Sequence, residues 1–396
     1  MLKRTMQWAR NRLFRTYFRD IRVQGIADVP GSGVVLYACV HRNGAVDGLV
    51  MESVLDNTLG IAGKNLTRSA YLRMFLGDCV SIYRHPATTA ENKENLRQLK
   101  TAAVAAVNGR RVMMFPEGTS KLGPKLLPVK KGMAYLAKLT VKEADGIPVH
   151  IVPVGLHYER GFEFRSVVEI YFGRHIIVDS QDTKDLEKLT ERISEAMASV
   201  AVQFDDAESQ RRGELFADVV VSMDETISHR QACLDYGAGS VPQHVRAVFD
   251  DAIKGRDRHS LVPVVPIGGI AGVALELLLL TPFVAGAFIV NALPVLGGSV
   301  AARLLADDDN VITLWRILVG TPLLFLQTTA YFLLALFNPA WAVFGLVGYS
   351  AMTATGIAVY WRWKKVLAQV FNMLAGGRKE IRHSNVLAKE WLECGR

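Results

Sequence analysis

Cysteine is scarce in this 396-residue chain, and the four present, Cys39, Cys79, Cys233 and Cys394, stand far apart with no CxxC pair. That spacing excludes a disulfide-dense scaffold, a thioredoxin-type redox motif and a cysteine-built zinc site. It reads as reduced thiols in a protein facing the cytosol. HExxH and clustered His/Cys ligands are missing, so no metal is called for. GxSxG is missing too, which argues against a serine nucleophile on an elbow turn. Without internal repeats or low-complexity tracts, solenoids and disordered linkers drop out.

Acidic residues are in short supply: 38 Asp and Glu face 46 Lys and Arg, a net charge of +8. A basic chain suggests nucleic acid, yet the positive charge is not patterned for it. The densest block is at the start, where Lys3, Arg4, Arg10, Arg12, Arg15, Arg19 and Arg22 face only Asp20. Trp8, Leu13, Phe14, Tyr17, Phe18 and Ile21 are interleaved at helical spacing. Residues 1–23 therefore read as a basic amphipathic helix in a bilayer interface, with aromatics among acyl chains and arginines on anionic head groups. The competing reading is a helix that packs on the domain after it. The start is not followed by the apolar core of a secretory signal.

Charge of either sign is thin as well, at 21% against 50% hydrophobic, and mean hydropathy is +0.19. The apolar excess lies between Leu261 and Trp361. Leu261–Pro294 carries only Glu276 as a charge and is longer than one spanning helix needs. Pro282 interrupts it, which predicts a hairpin or two short helices. Ile317–Phe337 and Ala340–Trp361 are each long enough to span, with Trp341, Tyr360, Trp361 and Trp363 at interfaces. Glu276 and Arg316 either pair or mark helix ends. Beyond them Arg362, Lys364, Lys365, Arg378, Lys379 and Arg382 place the tail in the cytoplasm. A cytoplasmic front domain then requires an even number of crossings.

The front of the chain alternates. Gly33–Val40, Arg111–Phe115, Ile147–Leu156 and Val167–Phe172 read as buried strands, and Gly77–Arg84 as a strand ending in an arginine. Glu91–Val107, Val129–Leu139 and Lys184–Phe204 read as helices, the last capped by Asp182 or Thr183. Strands separated by helices predict an α/β layer fold. Glu208–Asp257 is charged and mostly helical, with a break near Tyr236.

Three blocks carry chemistry. His41 follows a buried strand, and Asp47 falls near the start of the next helix. A carboxylate there fixes the imidazole tautomer and raises the basicity of the other nitrogen. Phe115-Pro-Glu-Gly-Thr-Ser120 puts Glu117 between Pro and Gly after a strand. Arg84, with Lys130, suits a phosphate. Each also has an ordinary reading: a structural His–Asp pair, a capped turn, solvated surface charge.

Taken in order, His41 and Asp47, Arg84, FPEGTS and the Pro-bearing strand Ile147–Leu156 resemble the glycerolipid acyltransferase family over about Gln24 to Ile177. That family usually has His-x4-Asp, whereas five residues separate the pair here. The five-residue spacing, LLPVKKGMA and VPVGLHYERGFEFRSVVEIYFGRHI resemble the fungal-type glycerol-3-phosphate/dihydroxyacetone-phosphate acyltransferases. Gly44 can absorb the extra residue.

The resemblance implies an αβ sandwich catalytic domain at residues 24–180, and charge and hydropathy divide the rest into a charged helical region at 181–258, a transmembrane helical region at 259–361 and a basic cytoplasmic tail at 362–396. It implies His41 as base, Asp47 as its orienting partner, and Arg84 and Lys130 on the acceptor phosphate. Glu117 and Gly118 would position the glycerol, with Thr119 in the same substrate-binding block, and Pro153 would shape the acyl-donor side. No cofactor or metal is implied, only acyl-CoA or acyl carrier protein as co-substrate. The implied partners are a phospholipid bilayer and a glycerol phosphate acceptor, with no nucleic acid, and the implied place is an integral membrane protein with its catalytic domain on the cytoplasmic face. The implied acceptor is glycerol-3-phosphate or dihydroxyacetone phosphate at sn-1, or alternatively 1-acylglycerol-3-phosphate or another lysophospholipid. A non-catalytic lipid-binding adaptor is the alternative of a different class.

Overall fold

The computed structural model describes residues 12–247, 270–338, 340, 345–374, 386 and 388–393. The chain divides into two compact units, Met1–Gln203 with Asp308–Thr313, and Phe204–Asp307 with Leu314–Arg396.

The first unit is built on one sheet. Its strands are β1 (Asp20–Gln24), β2 (Val34–Cys39), β3 (Thr58–Gly63), β4 (Cys79–Ile82), β5 (Arg111–Met114), β6 (Val149–Tyr158), β7 (Val167–Phe172) and β8 (Ile176–Val178). They lie in the order β1-β7-β6-β2-β5-β3-β4, with β8 also on β6. The five strands from β6 to β4 are parallel, and β7 and β8 run antiparallel to β6. β2 and β6 are almost wholly buried, as a parallel sheet covered on both faces requires.

Helices α1 (Ala45–Val54), α2 (Lys64–Thr67), α3 (Ala70–Leu76), α4 (Thr89–Val107), α5 (Gly132–Glu143) and α6 (Leu186–Val200) complete the layer fold. α4 opens with a capping box between Thr88 and Glu91 and buries Leu99, Ala102, Ala103 and Ala106. α6 buries Leu189, Ile193, Met197 and Val200 at the spacing the sequence shows. Its cap is Asp185 rather than Asp182 or Thr183, because residues 182–184 form a 3-10 turn of their own. β3 was not anticipated: its sequence, TLGIAG, is glycine-rich, and its place between β5 and β4 decides its conformation.

The amphipathic helix expected at residues 1–23 is corrected at its end. Residues 12–17 are helical, but β1 begins at Asp20 and pairs in parallel with β7. Phe14, Tyr17 and Phe18 are buried in the domain. Tyr17 meets the Phe164 ring edge-on at 5.6 Å, Phe18 lies 5.9 Å from Tyr158, and Phe14 stacks on Phe18 at 6.3 Å. These aromatics fill the protein's own apolar surface instead of acyl chains. Lys3, Arg4, Trp8 and Arg10 lie outside the described residues.

The second unit is helical: α7 (Ala207–Met223), α8 (His229–Gly237), α9 (Ile270–Val290), α10 (Ala292–Leu305), α11 (Ile312–Phe337) and α12 (Gly348–Leu374). Among the described residues, Ala271–Val290 and Asp309–Phe337 are long and apolar enough to cross a membrane, and few of their residues are buried. α10, at 14 residues, extends about 21 Å and falls short of a span. Pro282 does not interrupt the run as expected but sits inside α9, a cost that apolar helices absorb through local adjustment. α12 continues past Trp361 through Leu374, so the tail expected from 362 begins as helix. Trp341 lies outside the described residues. Glu276 is held by the Arg362 guanidinium at 2.8 and 3.1 Å. Where α9 meets α12, a Cβ on Gly356 would stand 2.2 Å from the Ala287 Cβ, so only glycine permits this approach.

Burial of the Phe18 ring predicts that Phe18→Ala destabilises the first unit by about 3–5 kcal/mol. The check is thermal unfolding of the purified chain beside its binding to anionic vesicles. A lowered melting temperature with unchanged binding is expected; the opposite pattern would return this side chain to the bilayer.

Candidate active site

β2 ends at Cys39, and His41 emerges at the carboxyl edge of the parallel strands, where α/β sheets present their ligand sites. The chain then turns at Gly44, with φ 55° and ψ −143°, a conformation that side-chain-bearing residues avoid. Gly44 caps α1, and the turn brings Asp47, in the first helical turn, back to His41. Nδ1 of His41 lies 2.8 Å from Oδ2 of Asp47. The same oxygen accepts the backbone N–H groups of Arg42 at 2.7 Å and Asn43 at 2.8 Å. The other oxygen accepts the Tyr158 hydroxyl at 2.6 Å. Asp47 is 0% exposed.

This arrangement fixes protons. A carboxylate receiving three other donors is the acceptor toward Nδ1, so Nδ1 carries hydrogen and Nε2 is the ring nitrogen that Asp47 does not engage. Burial, with the Asp47 charge beside it, pushes the Tyr158 phenol well above its ordinary range, so it remains a donor. The Phe115 ring lies against the imidazole, centroids 4.5 Å apart. Cys39 is fully buried, and burial pushes its thiol up with Asp47 adding to the effect. A thiol held protonated there is no nucleophile.

His41 opens onto a cavity of about 530 Å³ whose wall includes Arg84, Gly118 and Lys130. The rest of the lining is mainly apolar, including Leu49, Ile61, Leu66, Leu76, Ile82 and Met113. Arg84 follows β4 and is exposed. Any Cβ on Gly63 would stand 2.8 Å from its Nε, so the guanidinium side chain lies over the bare end of β3. Gly118 has φ 74°, and Lys130 Nζ occupies the space a side chain there would need. Lys130 N donates to the Pro116 carbonyl at 2.9 Å, tying the two loops together. Lys131 also lines the cavity, with Nζ 2.5 Å from Glu187 Oε1.

Three residues expected to bind substrate are placed elsewhere. Glu117 is 3% exposed and does not line the cavity. Its Oε1 accepts the His41 N–H at 2.6 Å and its Oε2 the Leu127 N–H at 3.0 Å. Burial raises its carboxyl, and these two N–H groups pull it partly back. It holds the loop bearing His41. Pro153 is buried within β6 opposite Ala38, and Thr119 is exposed outside the lining. Neither lines this cavity.

Sequence reasoning missed Tyr158 and Asn95. Tyr158 ends β6, which is parallel to β2, so a phenol there reaches the edge that carries His41. Asn95 on α4 accepts the Tyr83 N–H at 2.7 Å and donates to the Tyr83 carbonyl at 2.8 Å, holding the turn before Arg84.

Residues 20–157 match the family described as acyltransferase, so the first unit carries a domain of that family. The curated relatives that match it include fungal glycerol-3-phosphate O-acyltransferases. Over 97 residues the chain is 35% identical to glycerol-3-phosphate O-acyltransferase 2 of Saccharomyces cerevisiae, covering 22% of this chain and 13% of that protein. Over 106 residues it is 31% identical to glycerol-3-phosphate O-acyltransferase 1 of the same yeast, covering 24% and 14%. The chain thus matches less than a sixth of either yeast protein's length. The 1-acyl-sn-glycerophosphate (LPA) acyltransferase PlsC from Thermotoga maritima aligns with 49% of this chain and 76% of that chain, at 19% identity and a TM-score of 0.33.

The hydrogen bonds of Glu117 predict a positioning phenotype. Glu117→Ala leaves two buried N–H groups without acceptors, at about 1–3 kcal/mol each. Thermal unfolding and steady-state kinetics should show a lower melting temperature and a lower kcat. A selective rise in KM for the acceptor, at unchanged stability, would instead put this carboxylate on the substrate.

Proposed function

We propose that the chain transfers a fatty acyl group from the thioester of acyl-CoA or acyl carrier protein to the sn-1 hydroxyl of glycerol-3-phosphate or dihydroxyacetone phosphate. The observation that carries this reading is the Asp47-bound imidazole at the wall of a cavity that combines Arg84 and Lys130 with a mainly apolar lining. An anionic head group and a hydrocarbon chain need that combination.

Nε2 of His41 takes the proton of the acceptor hydroxyl as its oxygen attacks the thioester carbonyl. The C–S bond breaks as the tetrahedral intermediate collapses, and the thiolate recovers the proton from the imidazolium. Asp47 stabilises that imidazolium and holds the ring's orientation. Arg84 and Lys130 neutralise the acceptor phosphate. The likeness to enzymes named glycerol-3-phosphate O-acyltransferases supports this acceptor over a lysophospholipid. The two apolar helices support membrane association, and Arg362, Lys364 and Lys365 on α12 favour a cytoplasmic catalytic unit.

The direct test offers labelled palmitoyl-CoA to membranes containing the chain, with glycerol-3-phosphate, dihydroxyacetone phosphate, lysophosphatidate or lysophosphatidylcholine as acceptor. Formation of lysophosphatidate from glycerol-3-phosphate is expected, with His41→Ala slower by about 10²–10⁴-fold. Acylation of lysolipids alone would overturn the acceptor. A second expectation separates binding from chemistry: Arg84→Ala raises KM for the phosphate-bearing acceptor by about tenfold or more and leaves KM for acyl-CoA unchanged. Equal change in both would remove Arg84 from the phosphate.

A further inference from the structure

Asp308–Thr313 belongs to the first unit, although the residues on both sides of it belong to the second. It contains a 3-10 turn at Asp309–Val311 that runs directly into α11. Two polar residues in this segment are deeply buried: Asn310 is 4% exposed and Thr313 0%. Groups so placed require partners.

The partners lie on both loops that build the site. Nδ2 of Asn310 donates to the Ser120 carbonyl at 2.6 Å and to the Ser120 hydroxyl at 3.0 Å. Ser120 closes the Phe115–Ser120 loop, and the next amide, Lys121 N, donates to the His41 carbonyl at 3.2 Å. On its other side the Asn310 carbonyl would stand 3.2 Å from a Cβ on Gly44, the residue that turns the chain between His41 and Asp47. The Thr313 hydroxyl lies 3.4 Å from the Gly161 carbonyl, which also accepts Nδ2 of Asn43. Asn310 does not line the cavity, whereas Gly44 and Gly118 do. The segment thus touches the backs of the walls.

We propose that Asn310 is a positioning residue for acyl transfer: it fixes the spacing between the loop that carries His41 and the loop that carries Gly118. The inference rests on the acyl-transfer reading above and adds a dependence to it. The clamp comes from a stretch outside the family-matched residues 20–157, and it is joined through the chain to apolar α10 and α11. A base and its substrate loop must hold their separation within fractions of an ångström, so loosening such a clamp slows turnover while binding survives.

The test uses the full-length chain in lipid nanodiscs, with Asn310→Ala and Asn310→Asp beside the parent. The carboxylate has nearly the same size as the amide but cannot donate, and it turns an oxygen toward the Ser120 carbonyl. Hydrogen–deuterium exchange at the Lys121 and Asp47 amides should rise by about tenfold or more, with exchange in β2 and α6 unchanged. In the acylation assay kcat should fall by about tenfold to a hundredfold, with both KM values within about twofold of the parent. Acidification should restore part of the loss, relative to the parent, in Asn310→Asp but not in Asn310→Ala, because a protonated carboxyl donates again. Parent-like kcat and exchange in both variants would overturn the proposal, as would accelerated exchange throughout the sheet. If the parent transfers no acyl group to any acceptor, the functional reading falls, and the exchange at Lys121 and Asp47 still decides whether Asn310 clamps the loops.

Discussion

A single negative charge withheld from water organises the site. The Asp47 carboxylate sits in a region where an unpaired ion would be costly, and it is held there by the imidazole, two backbone amides and a phenol. Those donors come from separate parts of the sheet, the loop after β2 and the last residue of β6, and they meet the carboxylate on the first turn of α1. The strands must end at the same edge for all of them to converge. The parallel pairing of β2 with β6, in register from Val34↔Val149 to Cys39↔Val154, ensures that they do. The same group that anchors the fold at this edge would, in the proposed reaction, orient the imidazole. Its environment, already complete without substrate, leaves one free task for the imidazole.

Around that ion the loops brace one another through backbone groups. Glu117 binds the amides of His41 and Leu127, Lys130 reaches the Pro116 carbonyl, and Lys121 reaches the His41 carbonyl. Polar side chains that line the cavity, His41 and Lys130 among them, sit on loops tied by main-chain bonds. This is how irregular segments attain the rigidity that acid–base chemistry needs.

How much of this was legible in the sequence depended on how local the signal was. Val167–Phe172 was readable as a strand to the residue, because a β-branched apolar run carries its own periodicity. The His41–Asp47 pairing was readable because both members share one short loop, and Gly44 does absorb the extra residue. Tyr158 was not, since 111 residues separate it from Asp47. The main-chain bonds of Glu117 were not legible, since a motif names a residue type and not whether its side chain faces the cavity or the main chain behind it. The start of the chain shows the opposite error. Tyr17 and Phe18 have the spacing of a membrane-seeking face, and their partners Phe164 and Tyr158 lie too far along the chain to be foreseen. The apolar helices were visible from composition alone, whereas the close crossing at Gly356 depends on Ala287, which no local pattern links to it.

The pair of hydrogen bonds between Asn95 and Tyr83 has a consequence for recognition. Arg84 is an exposed, long side chain, and closing such a chain on a small anion ordinarily forfeits both rotamer and main-chain freedom. Here the main-chain share is spent during folding, since α4 has already frozen the turn from which the guanidinium departs. Gly63 beneath it narrows the side chain's sweep as well. In the proposed reaction, a soluble, weakly retained acceptor would then be captured with little ordering left to do, and released with equally little resistance once acylated.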